Sequence, residues 1–399
     1  MRIKLYYVLP LFVLPVISSA QVRLIGFQTL PGQSTSNIIE WQADAPESLS
    51  TSATDVNSII IANSTFNAST GDFIAKVNVN GASGILEFNT LNNNLEFNGA
   101  TITTNGSSEC DMQTGFVYSY DNNAVNQKVL KRYDPATNND DIIGTFNFPE
   151  NALFYPDSSC FDSNLGIYYF VMSDSDGLKL VSVPVNNADF TYSQVSITGL
   201  PILGNIGLEF SNDSNTIFAT FATDFNNGQN YVFNVGKISP QGVVESLMAM
   251  PSITSTQFYN RTFDQTTNAM IFVASDQSDT MLFVYDTDTN TYATKQLPEG
   301  NLYEIESNNY TYSVAKYGQL GVDKTEPSSQ IVVNQNLKTI LFPETMAGQH
   351  FDLFTITGAK VASSKVSTDL SFNYSQFQSG IYIIKIDGAK QKTTRKLSL

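Results

Sequence analysis

The stretch "EFSNDSNTIFATFATDFNNGQNYVFNVG" (209–236) runs from an apolar anchor through a polar turn and an aromatic-rich strand to a second Asn-rich turn and another strand. Ile, Phe, Thr, Val and Tyr clustered between Asn, Asp and Gly read as short β-strands joined by tight turns, with no 3.6-residue period. The same order recurs at 65–90, 109–138, 160–187 and 262–290, with a weaker sixth copy at 304–319. The anchors Phe66, Cys110, Phe161, Phe210, Phe263 and Ile305 follow one another at 44, 51, 49, 53 and 42 residues. A repeat of about 40–50 residues with about four strands is the pattern of a propeller blade. One such sheet cannot bury both of its faces, whereas a closed ring of them buries nearly all. The sequence therefore predicts an all-β chain whose body is a β-propeller of about six blades, with seven as the alternative. The strands "VRLIGFQTL" (22–30) and "NIIEWQ" (37–42) are placed to complete the last blade and tie the two ends together. Trp41 is the only tryptophan and no Trp-Asp pair occurs, which separates this repeat from the WD40 kind. An array of two-sheet sandwiches is the competing architecture.

Around the repeat, 399 residues divide into three expected segments: a signal peptide at 1–20, the propeller-like domain at 21–325 and a small C-terminal β-sandwich at 326–399. Arg2 and Lys4, the apolar run Leu5 to Ile17 and the small residues Ser18-Ser19-Ala20 have the layout of a secretory signal. No later run approaches the length of a membrane span, so the mature chain is expected to lack a transmembrane helix. Net charge is −16, yet from Pro327 onward eight Lys/Arg face four Asp/Glu, and Arg2 and Lys4 add two more positive charges. Residues 21–326 therefore carry −22. A body this acidic repels nucleic acid, which is excluded as a partner.

Chemistry is bounded first by what the body lacks. The single histidine, His350, lies outside it, which removes a Ser-His-Asp triad, a Cys-His pair and a His-based zinc site from residues 21–326. Cys110 and Cys160 fall one offset apart in adjacent repeats and are candidates for a disulfide, two buried thiols being the other reading. The residue before each anchor reads Thr65, Glu109, Cys160, Glu209, Thr262 and Glu304. Glu109, Glu209 and Glu304, at one offset on three blades, are expected to converge on the axis, where carboxylates hold Ca²⁺ or work as acid/base pairs. "YDTDTNTY" offers Asp286, Asp288 and Asn290 at alternate positions, half of a Ca²⁺ loop, but without its closing glutamate. Asp and Asn also close hairpin turns by bonding their own backbone, the competing reading here.

The C-terminal segments "FDLFTITGAKV", "LSFNYSQFQSGIYIIKI" and "KQKTTRKLSL" alternate in β fashion and end basic. They resemble the C-terminal sorting domain of cargo of the type IX secretion system of Bacteroidetes. The resemblance rests on Gly358 with Lys360, on Phe377, Gly380 and Tyr382, and on Lys392, Arg395 and Lys396. It implies recognition by the type IX machinery, passage through the periplasm, and a secreted or outer-membrane-surface destination, with the domain commonly removed on arrival. For the body the expectation is a binding or adhesion module for a surface glycan or protein. A Ca²⁺-dependent, lactonase-like propeller hydrolase using the channel glutamates and a structural surface component are the alternatives.

Overall fold

A computed structural model describes residues 22–318, apart from 34, 58, 80–81, 100–106, 123–126, 188, 226–229 and 277–278, and residues 331–398, apart from 335–337, 344–345, 356–358, 369, 378–380 and 388–391. The signal-like stretch, Gly358 and Gly380 lie outside the described residues. The chain divides into two compact units, Met1–Gly321 and Val322–Leu399.

In the first unit the described residues form six antiparallel four-stranded sheets. Five are built from consecutive strands, with innermost strands Ile59–Asn67, Ser108–Cys110, Leu153–Asp162, Ile202–Ser211 and Ile253–Asp264. The sixth starts from Asn301–Ser307 and is completed outward by Arg23–Thr29, Thr35–Gln42 and Ala45–Asn57. The innermost strands touch in chain order, and the sixth touches the first. The body is thus a six-bladed β-propeller, closed by N-terminal strands on a C-terminal one.

Packing between blades follows from the repeat. The anchor of each blade faces the second strand of the blade before it, and three anchors meet an aromatic ring there. Phe161 stacks on Tyr118 at 5.1 Å, Phe210 on Tyr169 at 6.3 Å and Phe263 on Phe218 at 5.6 Å. Across the closing seam Phe27 meets Phe73 at 5.3 Å, both fully buried. The high aromatic content is thus spent largely inside the seams, where flat rings fill the narrow space between twisted sheets.

In the second unit a three-stranded sheet (Val332–Asn334, Thr339–Leu341, Ser371–Asn373) and a four-stranded one (Lys360–Lys365, His350–Thr355, Ile381–Asp387, Lys392–Ser398) share a core of Ile340, Phe351, Leu353, Tyr374 and Ile384. Lys392–Ser398 lies at the edge of its sheet.

Truncating Phe27 tests the closure. Phe27→Ala should cost about 3–5 kcal/mol in denaturant unfolding of the body, while Leu165→Ala, at a site 66% exposed, should stay within about 0.5 kcal/mol.

Candidate functional site

The end of each innermost strand carries the same local chemistry. The residue after each anchor (Asn67, Asp111, Asp162, Ser211 and Asp264) turns back and accepts a backbone N–H two or three residues on. Asn308 does the same for Tyr310 in the sixth blade. Short side-chain acceptors mimic a backbone turn in this way, so every inner strand stops at the same height. The next residue reaches sideways. Ser163 Oγ accepts the Met112 N–H (2.9 Å), Asn212 Oδ1 the Ser163 N–H (3.0 Å), Gln265 Oε1 the Asn212 N–H (2.9 Å) and Asn309 Oδ1 the Gln265 N–H (2.8 Å). Gln265 and Asn309 also donate to the carbonyls of Phe210 and Phe263. A belt of side chains thus joins four consecutive blade junctions at one end of the channel.

This belt fixes the true register of the sixth blade. Its anchor position is Ser307, two residues beyond Ile305, and the residue before it is Glu306. The slip has a local cause. Ile25 pairs with Glu306 and Phe27 with Tyr303, so Glu304 and Ile305 together oppose Gly26. Glu304 sits at φ 54°, and a Cβ on Gly26 would lie 3.2 Å from the Tyr303 carbonyl oxygen. A bulge of this kind re-aims side chains. The Glu304 carboxylate consequently turns into the closing seam and accepts the Ser64 N–H at 2.9 Å, and Glu306 takes the channel position.

Glu109, Glu209 and Glu306 line one cavity together with Thr65, Thr262 and Asn309. It offers about 50 Å³ to water centres, room for about three or four waters. Ser159 Oγ donates to Glu109 at 2.7 Å, Arg261 Nε pairs with Glu209 at 3.3 Å, and Glu306 accepts from Ser64 Oγ (2.8 Å) and Thr262 Oγ1 (3.3 Å). A Cβ on Gly207 would fall 1.9 Å from Arg261 Nη1, so only glycine leaves space for the guanidinium. Burial, and then the Glu209 carboxylate, push the Glu109 carboxyl well above its ordinary range. The donor set does not suit Ca²⁺: a buried guanidinium shares one carboxylate and puts a positive charge where the ion would stand. Among the described residues no group of three or more His, Cys, Asp or Glu is arranged to hold a metal ion.

The helix Tyr310–Tyr317 closes the belt end of the channel. Tyr310 packs on the cluster holding Phe66 and Phe73, Ser313 Oγ donates to the Met112 carbonyl, Tyr317 OH to Asn164 Oδ1, and Lys316 Nζ to Asn212 O and Asp213 Oδ1. These contacts reach the first, second, third and fourth blades from the end of the sixth. Burial alone would raise the Asp213 carboxyl, but its bonds from Lys316 and Tyr312 hold it below its ordinary value. The repeat pattern predicts blade strand over this segment, and the structure has a helix instead. Its helical signal is Tyr310, Val314 and Tyr317 on one face after the turn-forming Asn308-Asn309.

The remaining candidates are dispersed. Asp286 Oδ1 accepts the N–H groups of Asp288 and Thr289, Asn268 Nδ2 donates to Asp288, and Tyr285 OH donates to Asn290, which sits at φ 54°. Those oxygens build a hairpin turn. Cys110 and Cys160 are free and buried, with both thiols pushed up by burial. Cys110 is an anchor facing the first blade, whereas Cys160 precedes its anchor and packs with Tyr169, Val171 and Leu208 toward the fourth. A one-residue offset on a strand reverses the face, so the thiols enter different seams. In the C-terminal unit Lys360 Nζ pairs with Asp352 at 2.7 Å and Tyr382 is buried beside Phe377. Lys392, Arg395 and Lys396 lie opposite Asp387, Ile384 and Ile383 on the edge strand.

Residues 328–399 match the family model described as a secretion system C-terminal sorting domain. No curated protein matches the chain. Among solved structures, TolB from Acinetobacter baumannii is similar at 11% identity and a TM-score of 0.54, covering 72% of this chain and 66% of that one. A nidogen/laminin complex aligns at 10% identity and a TM-score of 0.49, over 73% of this chain and 99% of that one. TolB supports the propeller fold and nothing about activity. The tail marks the chain as type IX secretion cargo.

The raised Glu109 carboxyl sets a sign for stability against pH. The folded protein holds this proton where the unfolded chain, with its ordinary glutamate, has released it. Stability should therefore fall as pH rises above the ordinary glutamate range, about 4.5, toward the folded value. Glu109→Gln keeps the Ser159 bond and removes the ionisation. Urea unfolding should show the variant gaining on the parent between pH 5 and 8 and losing that advantage near pH 4.

Proposed function

We propose that the body is a non-catalytic binding or adhesion module which the type IX machinery carries to the cell surface or into the medium, with the C-terminal sandwich as its address. The observation that carries this reading is the state of the channel, the usual seat of propeller chemistry. Each of its three carboxylates is held by a side chain of the protein itself, and the helix Tyr310–Tyr317 closes one end. The accessible chemistry then belongs to the blade surfaces, where Tyr231, Tyr292 and Tyr303 are exposed. Tyrosine offers both a ring face and a hydroxyl, which suits a surface glycan or a protein. The acidic body favours partners with basic patches and disfavours anionic polymers.

One observation favours a second reading, a carboxylate-based hydrolase. Burial and the neighbouring Glu209 raise the Glu109 carboxyl, the direction a general acid beside a carboxylate needs. The two readings separate in one pair of experiments. The full chain, labelled and applied to glycan and protein arrays, should bind a defined partner saturably, with Glu109→Gln unchanged in affinity. Turnover of ester or glycoside substrates that Glu109→Gln abolishes would instead make the channel catalytic and remove the binding-module reading.

A further inference from the structure

We propose that the propeller ring opens at one place, the seam between its first and second blades, and that this seam is a lateral entrance to the channel. The other seams are closed by buried rings or dense aliphatic packing. Here the anchor is Cys110, which among the described residues clusters with Ile74, Ile85, Val117 and Tyr133 and also borders the channel cavity beside Glu109 and Met112. The hydrogen-bonded belt is interrupted at this junction and at the closing seam, and only the latter is packed by buried rings. Its next acceptor would be the side chain of Met112, a thioether and a poor acceptor, and the first blade is joined instead by Asn67 Nδ2 donating to the Gly115 carbonyl.

What fills the seam is polar. Lys76 of the first blade is 7% exposed, the one lysine in the buried class among the described residues, and its Nζ donates to Ser119 Oγ of the second blade at 2.9 Å. Lys131 meets Asp140 at 3.0 Å and Asp121 at 3.6 Å, and across the seam Tyr133 OH donates to the buried Glu87 carboxylate of the first blade. Among the described residues Ser108 Oγ is buried without a hydrogen-bond partner, and Asp121 Oδ2 has none beyond its longer ion pair with Lys131. Lys76, Ser108, Ser119, Lys131, Tyr133 and Asp140 surround a cavity with about 20 Å³ for water centres, enough for one or two waters. Burial lowers the Lys76 amine to about 8, in keeping with an ammonium that gains by hydration.

Parting an apolar seam exposes rings to water and is opposed in full by the hydrophobic effect. Parting this one hydrates an ammonium, a carboxylate and an idle hydroxyl, which offsets much of that cost. Local opening therefore has its lowest free energy here. Glu109 lies on the same strand as Cys110, so the gap would reach the channel carboxylates from the side, past the helix that closes the end.

The two cysteines are built-in reporters, Cys110 in this seam and Cys160 in the apolar seam between the third and fourth blades. Native full-length protein is alkylated with iodoacetamide and each site is read by peptide mass. Cys110 should react at least about tenfold faster than Cys160, at a rate insensitive to low denaturant, as local opening requires. The charge-balanced double variant Lys76→Met/Asp121→Asn should slow Cys110 about tenfold and leave Cys160 unchanged. Equal rates at the two sites would overturn the proposal. So would a fast Cys110 that the double variant does not slow, because the reagent would then be arriving through the channel. If the variant does not fold, amide exchange of the parent decides. Strands Asp72–Val79 and Val117–Asn122 should exchange faster than Ile167–Asp174, and equal protection would overturn the seam.

Discussion

The antiparallel pairing of Arg23–Thr29 with Asn301–Ser307 is the contact on which the body depends. Without it the array ends in two open sheets, with Phe27 and Phe73 facing water on either side of a gap. Six twisted sheets have no other way to lose both terminal faces at once. Closure also brings the end of the sixth blade back over the first, which positions Glu306 against Ser64 and lets the helix Tyr310–Tyr317 lie across the channel end. The channel is therefore a consequence of the closing pair.

A second constraint is shared by all blades. The position after each anchor holds Asn, Asp or Ser to end the strand, and four of the residues that follow reach one blade sideways. The same few polar residues thus set both the height of each strand and its tie to the neighbour. Buried amides placed this way satisfy backbone groups that would otherwise be stranded beside the cavity. Exchanging Asn212 for an apolar residue of equal size would leave the Ser163 N–H without its acceptor.

Much of the fold was legible in the sequence because the blade repeats its own physics. Apolar anchors, Asp/Asn turns and aromatic strands recur at a period no other architecture fits as well, and the strands at 22–30 and 37–42 had no partner except an incomplete last blade. The register of that blade was not legible. Glu304 precedes the apolar anchor Ile305 in the repeat, but the bulge opposite Gly26 adds a residue to the strand and gives the channel place to Glu306, and nothing local in "NLYEIES" marks a bulge. Glu109 and Glu209, on strands whose ends have no such bulge, do share the cavity. The helix escaped notice because it is eight residues long and buries only Ser313, leaving a faint apolar stripe. Arg261 was invisible for another reason: its place depends on Gly207, on a different blade.

The closing pair also sets a clock. Leu24 meets Ser307 only after the whole body between them is available, and contacts so distant in sequence make folding slow. Until then the sheets at both ends offer unpaired strand edges to any neighbouring chain, the condition in which β-rich proteins aggregate. A charge of −22 on residues 21–326 gives every unfinished copy a reason to repel the next. On this view the acidity of the body protects the chain during the interval before the ring shuts, and the basic sandwich that follows is spared that requirement because its strands find their partners nearby.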